Sequence, residues 1–288
     1  MAYRFRSSDK SVSAGLRRIA ASEFAQLREV LANRALPADR KIHEARKTTK
    51  RLRALLRLVE PACPAARSEI GSLREAAASL SALRDRGALG ETLSRLDLPE
   101  PSAKLLRTGL EVKTTAARGQ RQLLAAFAAD MNTVRTRAED WTLSAEGWNA
   151  LQPGLERSHR RFRKAFKAAR GARDEEPVHE FRKRAKDHWY HTCLLRSVLP
   201  PVMEGYAGAA ESLCDDLGDW RDLGLLEAAV REMPASQLPQ ADAAAALKVI
   251  AKSRRKALKR AFRMAERLAA EPPGVYTARL KAWWKAAR

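Results

Sequence analysis

The sequence predicts an all-α protein built as two four-helix bundles related by a pseudo-two-fold axis, and three observations carry that prediction. Ala, Leu, Arg, Lys and Glu dominate the 288 residues while Gly numbers only 14, a composition that favours helices over sheets. Between the prolines the apolar residues recur at intervals of three and four, the helical period. The chain also repeats itself. His43-Glu44-Ala45-Arg46-Lys47-Thr48-Thr49-Lys50 returns 136 positions later as His179-Glu180-Phe181-Arg182-Lys183-Arg184-Ala185-Lys186. Residues 80–89 (LSALRDRGAL) return at a shift of 137 as 217–226 (LGDWRDLGLL), and Leu123 and Phe127 match Leu258 and Phe262 at a shift of 135. Three matches at nearly one offset mark a duplicated unit. A two-fold relation would set each motif facing its copy across the junction.

The prolines place the elements. Pro37, Pro61/Pro64 and Pro99/Pro101 divide the first half into helices over about 11–35, 39–60, 64–97 and 102–130, because proline tolerates a helix start and breaks a helix interior. Pro177, Pro200/Pro201 and Pro234/Pro239 divide the second half into helices over about 145–171, 176–199, 201–232 and 240–270. The stretch 139–154, with Trp141, Gly147, Trp148 and Pro153, reads as the connector. The organisation is therefore a first repeat over 1–138, the connector, and a second repeat with a C-terminal tail over 155–288. The amphipathic tail at 275–288 is expected to dock Trp283 and Trp284 on the body.

Charge points to the partner. Lys and Arg number 55 against 34 Asp and Glu, a surplus of 21, which implies an anionic partner such as nucleic acid, a membrane surface or another polyanion. No apolar run reaches the roughly 18 residues a membrane span needs, and none resembles a signal sequence. Cys63, Cys193 and Cys214 form no C-x-x-C pair, so free thiols in a soluble, cytoplasmic protein are expected, with neither a disulfide framework nor a zinc site.

On a helical wheel centred on His43, Arg46, Lys47, Lys50, Arg53 and Arg57 fall within about 80° of it, while Ile42, Ala45, Thr49, Leu52, Leu56 and Val59 form the opposite stripe. The second copy repeats the geometry with His179, Arg182, Lys183, Lys186 and Tyr190. Two further ridges are expected: Arg157, Arg160, Lys164 and Lys167 on one helix, and Lys252, Lys256, Lys259 and Arg263 on another. Like charges one turn apart destabilise a helix by roughly 0.2–0.5 kcal/mol per pair. Solvated faces would account for one such ridge. Four of them, two headed by a repeated histidine, make sense if they converge on a polyanion that neutralises them. Arg grips phosphate through a two-pronged fork, and Lys supplies an adaptable point charge. The two histidines are expected to touch phosphate, so that affinity rises as pH falls near 6.5. Arg84-Asp85 and Arg221-Asp222 read as structural ion pairs between helices, and His188 and His191 as structural residues rather than metal ligands.

Signals for catalysis are poor. There is no Gly-rich phosphate loop, no G-x-S-x-G and no H-E-x-x-H, and no acid cluster suited to magnesium. The expectation is a protein without catalytic residues, bound metal or cofactor.

The strings IHEARKTTKRLRALLRL and VHEFRKRAKDHWY, each followed by a helix ending in LSALRDRGAL or LGDWRDLGLL, resemble the CHAD family, the conserved histidine α-helical domain, over about residues 10–270. The resemblance implies two four-helix bundles around a basic cavity that binds inorganic polyphosphate, and association with polyphosphate granules. Carried over by position, His43, Arg46, Lys47, Lys50, Arg53, Arg57, His179, Arg182, Lys183 and Lys186 would bind it. The second copy departs from the pattern, since Asp187, His188 and Trp189 stand where the first has Arg51, Leu52 and Arg53. Two cations are thereby lost, and the basic helices at Arg157 and Lys252 are expected to compensate. Nucleic acid is expected only as a competitor for this basic surface; the alternative readings are a nucleic-acid-binding protein using the same surface and, behind it, an enzyme that processes polyphosphate or nucleotides.

Overall fold

A computed structural model of the chain describes residues 3–80, 85–112 and 119–288, with the side chains of 85–88 and 111–112 also left aside. The described residues form eleven α-helices and one 3-10 turn, with no strand. In chain order the helices are α1 (Val12–Ala32), α2 (Ala38–Val59), α3 (Ala66–Ser79), α4 (Asp85–Ser94), α5 (Glu100–Val112), α6 (Gln120–Ala138), α7 (Trp148–Arg170), α8 (Glu176–Leu194), α9 (Pro200–Arg231), α10 (Gln240–Leu268) and α11 (Pro273–Ala286). The all-α class is as the sequence predicts. Prolines punctuate the helices as expected: Pro37, Pro239 and Pro272 stand immediately before α2, α10 and α11. Ser11 caps α1 with its hydroxyl, which accepts from the Ala14 amide at 3.0 Å, one of the donors a helix start leaves unsatisfied.

Boundaries in the first half differ from the periodicity. The helix expected over 64–97 is two helices, α3 and α4, and the one expected over 102–130 is α5 and α6. Gly119 precedes α6 at φ 105, a left-handed conformation that glycine adopts without steric cost. Part of the connector is helical, since α7 starts at Trp148, directly after Gly147 at φ 59. Apolar spacing does not reveal these breaks, because each piece keeps the helical period on both sides.

Three apolar clusters organise the packing. The first joins α1, α2, α3 and α6 to the N-terminal turns of α7, the C-terminal end of α8, and α11. The second gathers the rest of α7 and α8 with α9 and α10. The third packs α4 and α5 onto the far ends of α9 and α10, through Leu93, Leu106, Leu226 and Ile250. The tail docks as expected, with Trp284 buried against Phe5 and Trp148 at ring separations of 6.5 and 5.8 Å. Cys63, Cys193 and Cys214 are free thiols, and burial pushes that of Cys214 up to about 12.

Where α7 crosses α2 the backbones come very close. A Cβ on Gly154 would lie 1.9 Å from the Leu58 carbonyl oxygen. Beside this crossing, α8 meets α2: the His191 Nε2–H donates to the Ala54 carbonyl at 2.9 Å, and Arg57 donates to the Asp187 carboxylate at 2.6 Å. These contacts fix α2 and α8, the two helices that carry the repeated motif.

Three imidazoles lie in the interior around α7, α8 and α11. His159 stacks on Tyr276 at 4.2 Å and donates to the Glu271 carbonyl at 3.0 Å; His188 stacks on Phe162 at 4.5 Å. Burial lowers the pKa of His159, His188 and His191 below the ordinary value. The folded chain thus holds them neutral, while the unfolded chain takes up protons near pH 6.5. Stability is fully present above that value and is lost as pH falls, by up to about 1.4 kcal/mol per pH unit for each histidine. Thermal midpoints should drop between neutral pH and about pH 5, and His188→Phe should flatten the dependence.

Candidate anion-binding site

Between the N-terminal half of α2 and the middle turns of α8 lies a recess of about 250 Å³. Its walls are His43, Arg46, Lys47 and Lys50 of α2, Arg182, Lys186, Trp189 and Tyr190 of α8, and Asp215 of α9. Five Lys and Arg side chains face a single carboxylate here. The local sequence explains the arrangement. On α2 the apolar stripe, including Ile42, Ala45, Leu52 and Leu56, is buried against the first core, which turns the cationic stripe toward α8. On α8, Val178, Phe181 and Ala185 are buried in the second core and turn Arg182 and Lys186 toward α2. Each repeat contributes one wall.

Supporting contacts hold the α2 wall. Tyr3 donates through its hydroxyl to the Arg51 carbonyl at 2.7 Å. Arg51 reaches the buried Glu23 at 3.3 Å, whose pKa is nonetheless raised, because burial outweighs the attraction of Arg51. Within the recess Lys47 lies 3.3 Å from Glu44, and Lys186 sits over the Trp189 ring with Nζ 4.4 Å from its centroid.

Seven of the eighteen expected contact residues line this recess: His43, Arg46, Lys47, Lys50, Arg182, Lys186 and Tyr190. The other eleven stand elsewhere. His179 does not face its copy; its ring lies 4.9 Å from that of Trp220 on α9, and Glu175 is 3.8 Å from its Nε2. Burial there lowers the His179 pKa, with Arg221 and Arg182 acting in the same direction against Glu175 and Glu176. Arg57 is engaged by Asp187. Arg53, partly buried beside it, has its pKa lowered to about 10, by burial and then by the neighbouring Arg57. Lys183 reaches Glu176 and Glu180 at 3.8 and 3.5 Å. Arg160 pairs with Glu156, while Lys164, Lys167, Lys252, Lys259 and Arg263 are exposed on the outer faces of α7 and α10. Lys256 borders a different hollow of about 160 Å³, with Thr92, Arg95, Asp219 and Arg260. The reason is geometric: a helix six turns long shows one face to several neighbours in succession, so residues sharing a wheel angle do not share a cavity.

Asp187, His188 and Trp189 have separate roles. Asp187 ties the repeats together through Arg57, His188 fills an aromatic core, and Trp189 forms recess wall. Sequence reasoning missed Trp189 and Asp215 as wall residues. Trp189 carried a usable signal, one turn beyond Lys186 on the same ridge; Asp215, on another helix, carried none. Arg221 donates to its neighbour Asp222 at 3.0 Å. Of the first-half counterpart, Arg84 and the side chain of Asp85 lie outside the described residues. No group of three or more metal-ligating side chains occurs among the described residues. None of the described helices is long and apolar enough to cross a membrane.

Fold and recess together define a protein whose described residues are helical, with residues of both basic motifs lining one recess. The chain belongs to the CHAD domain family, whose model matches residues 19–231. Its fold is similar to the crystal structure of the CHAD domain from the plant Ricinus communis, with a TM-score of 0.59 and 19% identity over 100% of this chain and 96% of that one. No curated protein matches the chain.

Proposed function

We propose that this protein binds inorganic polyphosphate in the recess between α2 and α8 and does not process it. One observation carries the reading: five Lys and Arg side chains from two repeat-related helices line a hollow that holds a single carboxylate. Such a site suits a repeating anion without side groups, since phosphate oxygens accept from Arg and Lys wherever the chain lies. Nucleic acid suits it less. Single-strand binding draws on aromatic stacking platforms, and Trp189 is already engaged by Lys186 at 4.4 Å and Tyr190 at 4.8 Å. In a cell the same affinity would gather the protein on polyphosphate granules.

Competition tests the reading. Polyphosphate should bind with an affinity that falls steeply as salt rises, because each neutralised phosphate releases counterions. Single-stranded DNA or RNA at equal phosphate concentration should fail to displace it; displacement would overturn the proposal. Incubation with polyphosphate and a divalent metal should leave the chain length unchanged.

The histidines no longer act alike. A phosphate beside an imidazole favours its protonated form, so binding takes up a proton and affinity should rise as pH falls through about 6.5. His43 lines the recess and His179 does not. His43→Gln should therefore flatten the pH profile of binding measured by calorimetry, and His179→Gln should leave it intact.

A further inference from the structure

The solvent face of α10 is not accounted for by the recess. Lys248, Lys252, Arg255, Lys256, Lys259, Arg263 and Arg267 recur there at intervals of one to four residues, and all seven are exposed. None forms an ion pair with an acid among the described residues. Their stripe lies opposite the buried Ala246, Ile250, Ala257, Ala261, Ala265 and Leu268. Acids near it are engaged elsewhere: Glu266 pairs with Arg170 of α7 at 2.8 Å, and Asp216 with Arg260 at 2.7 Å. A solvated helix face normally interleaves acids one turn away to relieve repulsion between like charges. This one does not.

We infer that the outer face of α10 is a second polyanion site, separate from the recess, which takes the sugar–phosphate backbone of duplex nucleic acid without reading its sequence. The ridge runs straight for about 29 Å from Lys248 to Arg267 at the helical rise, roughly eight base pairs of duplex. Of the seven, Lys256 borders a hollow with Thr92, Arg95 and Asp219, and the ridge as a whole is exposed. A stiff duplex lies along it with little loss of freedom, whereas a flexible phosphate chain must be straightened and ordered first. The exposed cations stand among no Asn or Gln that could read bases on this face, so contacts go to phosphates. An anionic membrane fits less well: Leu105, Val202 and Val275 are the exposed large apolar residues among those described, and none lies on α10. The recess admits only a slender chain and the ridge imposes no such limit, so one molecule could hold both kinds of polyanion at once.

Fluorescence anisotropy with a duplex of about twenty base pairs, with and without saturating polyphosphate, tests the assignment. The ridge variant Lys252→Glu, Arg255→Glu, Lys259→Glu should weaken duplex binding at least about tenfold and lower the magnitude of its salt slope by about three. Its polyphosphate affinity should stay unchanged. Polyphosphate bound in the recess should not displace the duplex from the wild-type protein. The assignment is overturned if the ridge variant binds duplex as the wild type does, or loses polyphosphate and duplex affinity equally. Tighter binding of phosphatidylserine vesicles than of duplex at equal phosphate would overturn it too. Substitution in the recess keeps the two readings apart. If Arg46→Ala, Lys50→Ala abolishes duplex binding, the ridge falls; if it spares polyphosphate binding, the recess proposal falls and the ridge stands on its duplex signal.

Discussion

Replacing Arg46, Lys50, Arg182 and Lys186 together with Ala is expected to abolish polyphosphate binding while the protein stays folded. All four line one recess and none belongs to an apolar core cluster, so their removal leaves the packing of α2 and α8 in place. Hydrogen bonds to charged groups contribute about 1.5–3 kcal/mol each. Losing four should weaken binding by about ten-thousandfold or more, even if each performs at the low end. Calorimetry reads the affinity, and circular dichroism with a thermal melt reads the fold. The matched control takes Arg53, Lys183, Lys164 and Lys259 to Ala, an equal loss of charge outside the recess. Should control and recess variants bind equally weakly, net charge rather than the recess would be the determinant.

Gly154→Ala is expected to be the most damaging of the methyl additions at the described glycines. Its Cβ would stand 1.9 Å from the Leu58 carbonyl oxygen and 2.7 Å from the carbonyl carbon. These are backbone atoms at the crossing of α7 and α2, so no side-chain rotation relieves the clash and the helices must part. Overpacking of this kind costs about 3 kcal/mol, a fall in thermal midpoint of about 5–10 °C for a chain of this size. Gly71→Ala on α3 supplies the contrast. Nothing lies within 4 Å of that added methyl, and a helix interior gains about 0.5–1 kcal/mol from exchanging Gly for Ala. A Gly154→Ala protein that melts with the wild type would show that the helices do not cross so closely. Separation of α2 from α7 should also disturb the recess, since α2 supplies one of its walls.

Much of this was legible along the chain. Apolar periodicity and prolines placed most helix ends within a few residues, because burying one face against a core imposes the 3.6-residue period locally. The second half was read more closely than the first: α9 and α10 match the expected spans at 201–232 and 240–270 closely. The expected helices at 64–97 and 102–130 are divided, since α4 and α5 leave the first core and pack on α9 and α10 through Leu93, Leu106, Leu226 and Ile250. Docking against a distant partner leaves no mark in the local period.

The candidate site divides in the same way. Its cationic stripe came from wheel angles on α2 and α8, and its duplication from the 136-residue offset. Which members of each stripe share a hollow depended on where the helices cross. The contacts of Ala54 with His191 and Arg57 with Asp187 set that point; they place Arg46 and Lys50 in the recess and leave Arg53, Arg57 and His179 outside it.

The order of residues alone determined that the chain is helical, duplicated and heavily cationic, with the two basic motifs at equivalent positions. Those properties follow from local geometry and composition, which each segment carries by itself. Only the tertiary structure decided that Arg46, Lys50, Arg182 and Lys186 meet, that Trp189 and Asp215 join them, and that the stripe on α10 faces solvent. Convergence depends on how helices far apart in the chain are angled against one another. That angle is fixed by the sum of contacts such as Gly154 against Leu58, which no single segment contains.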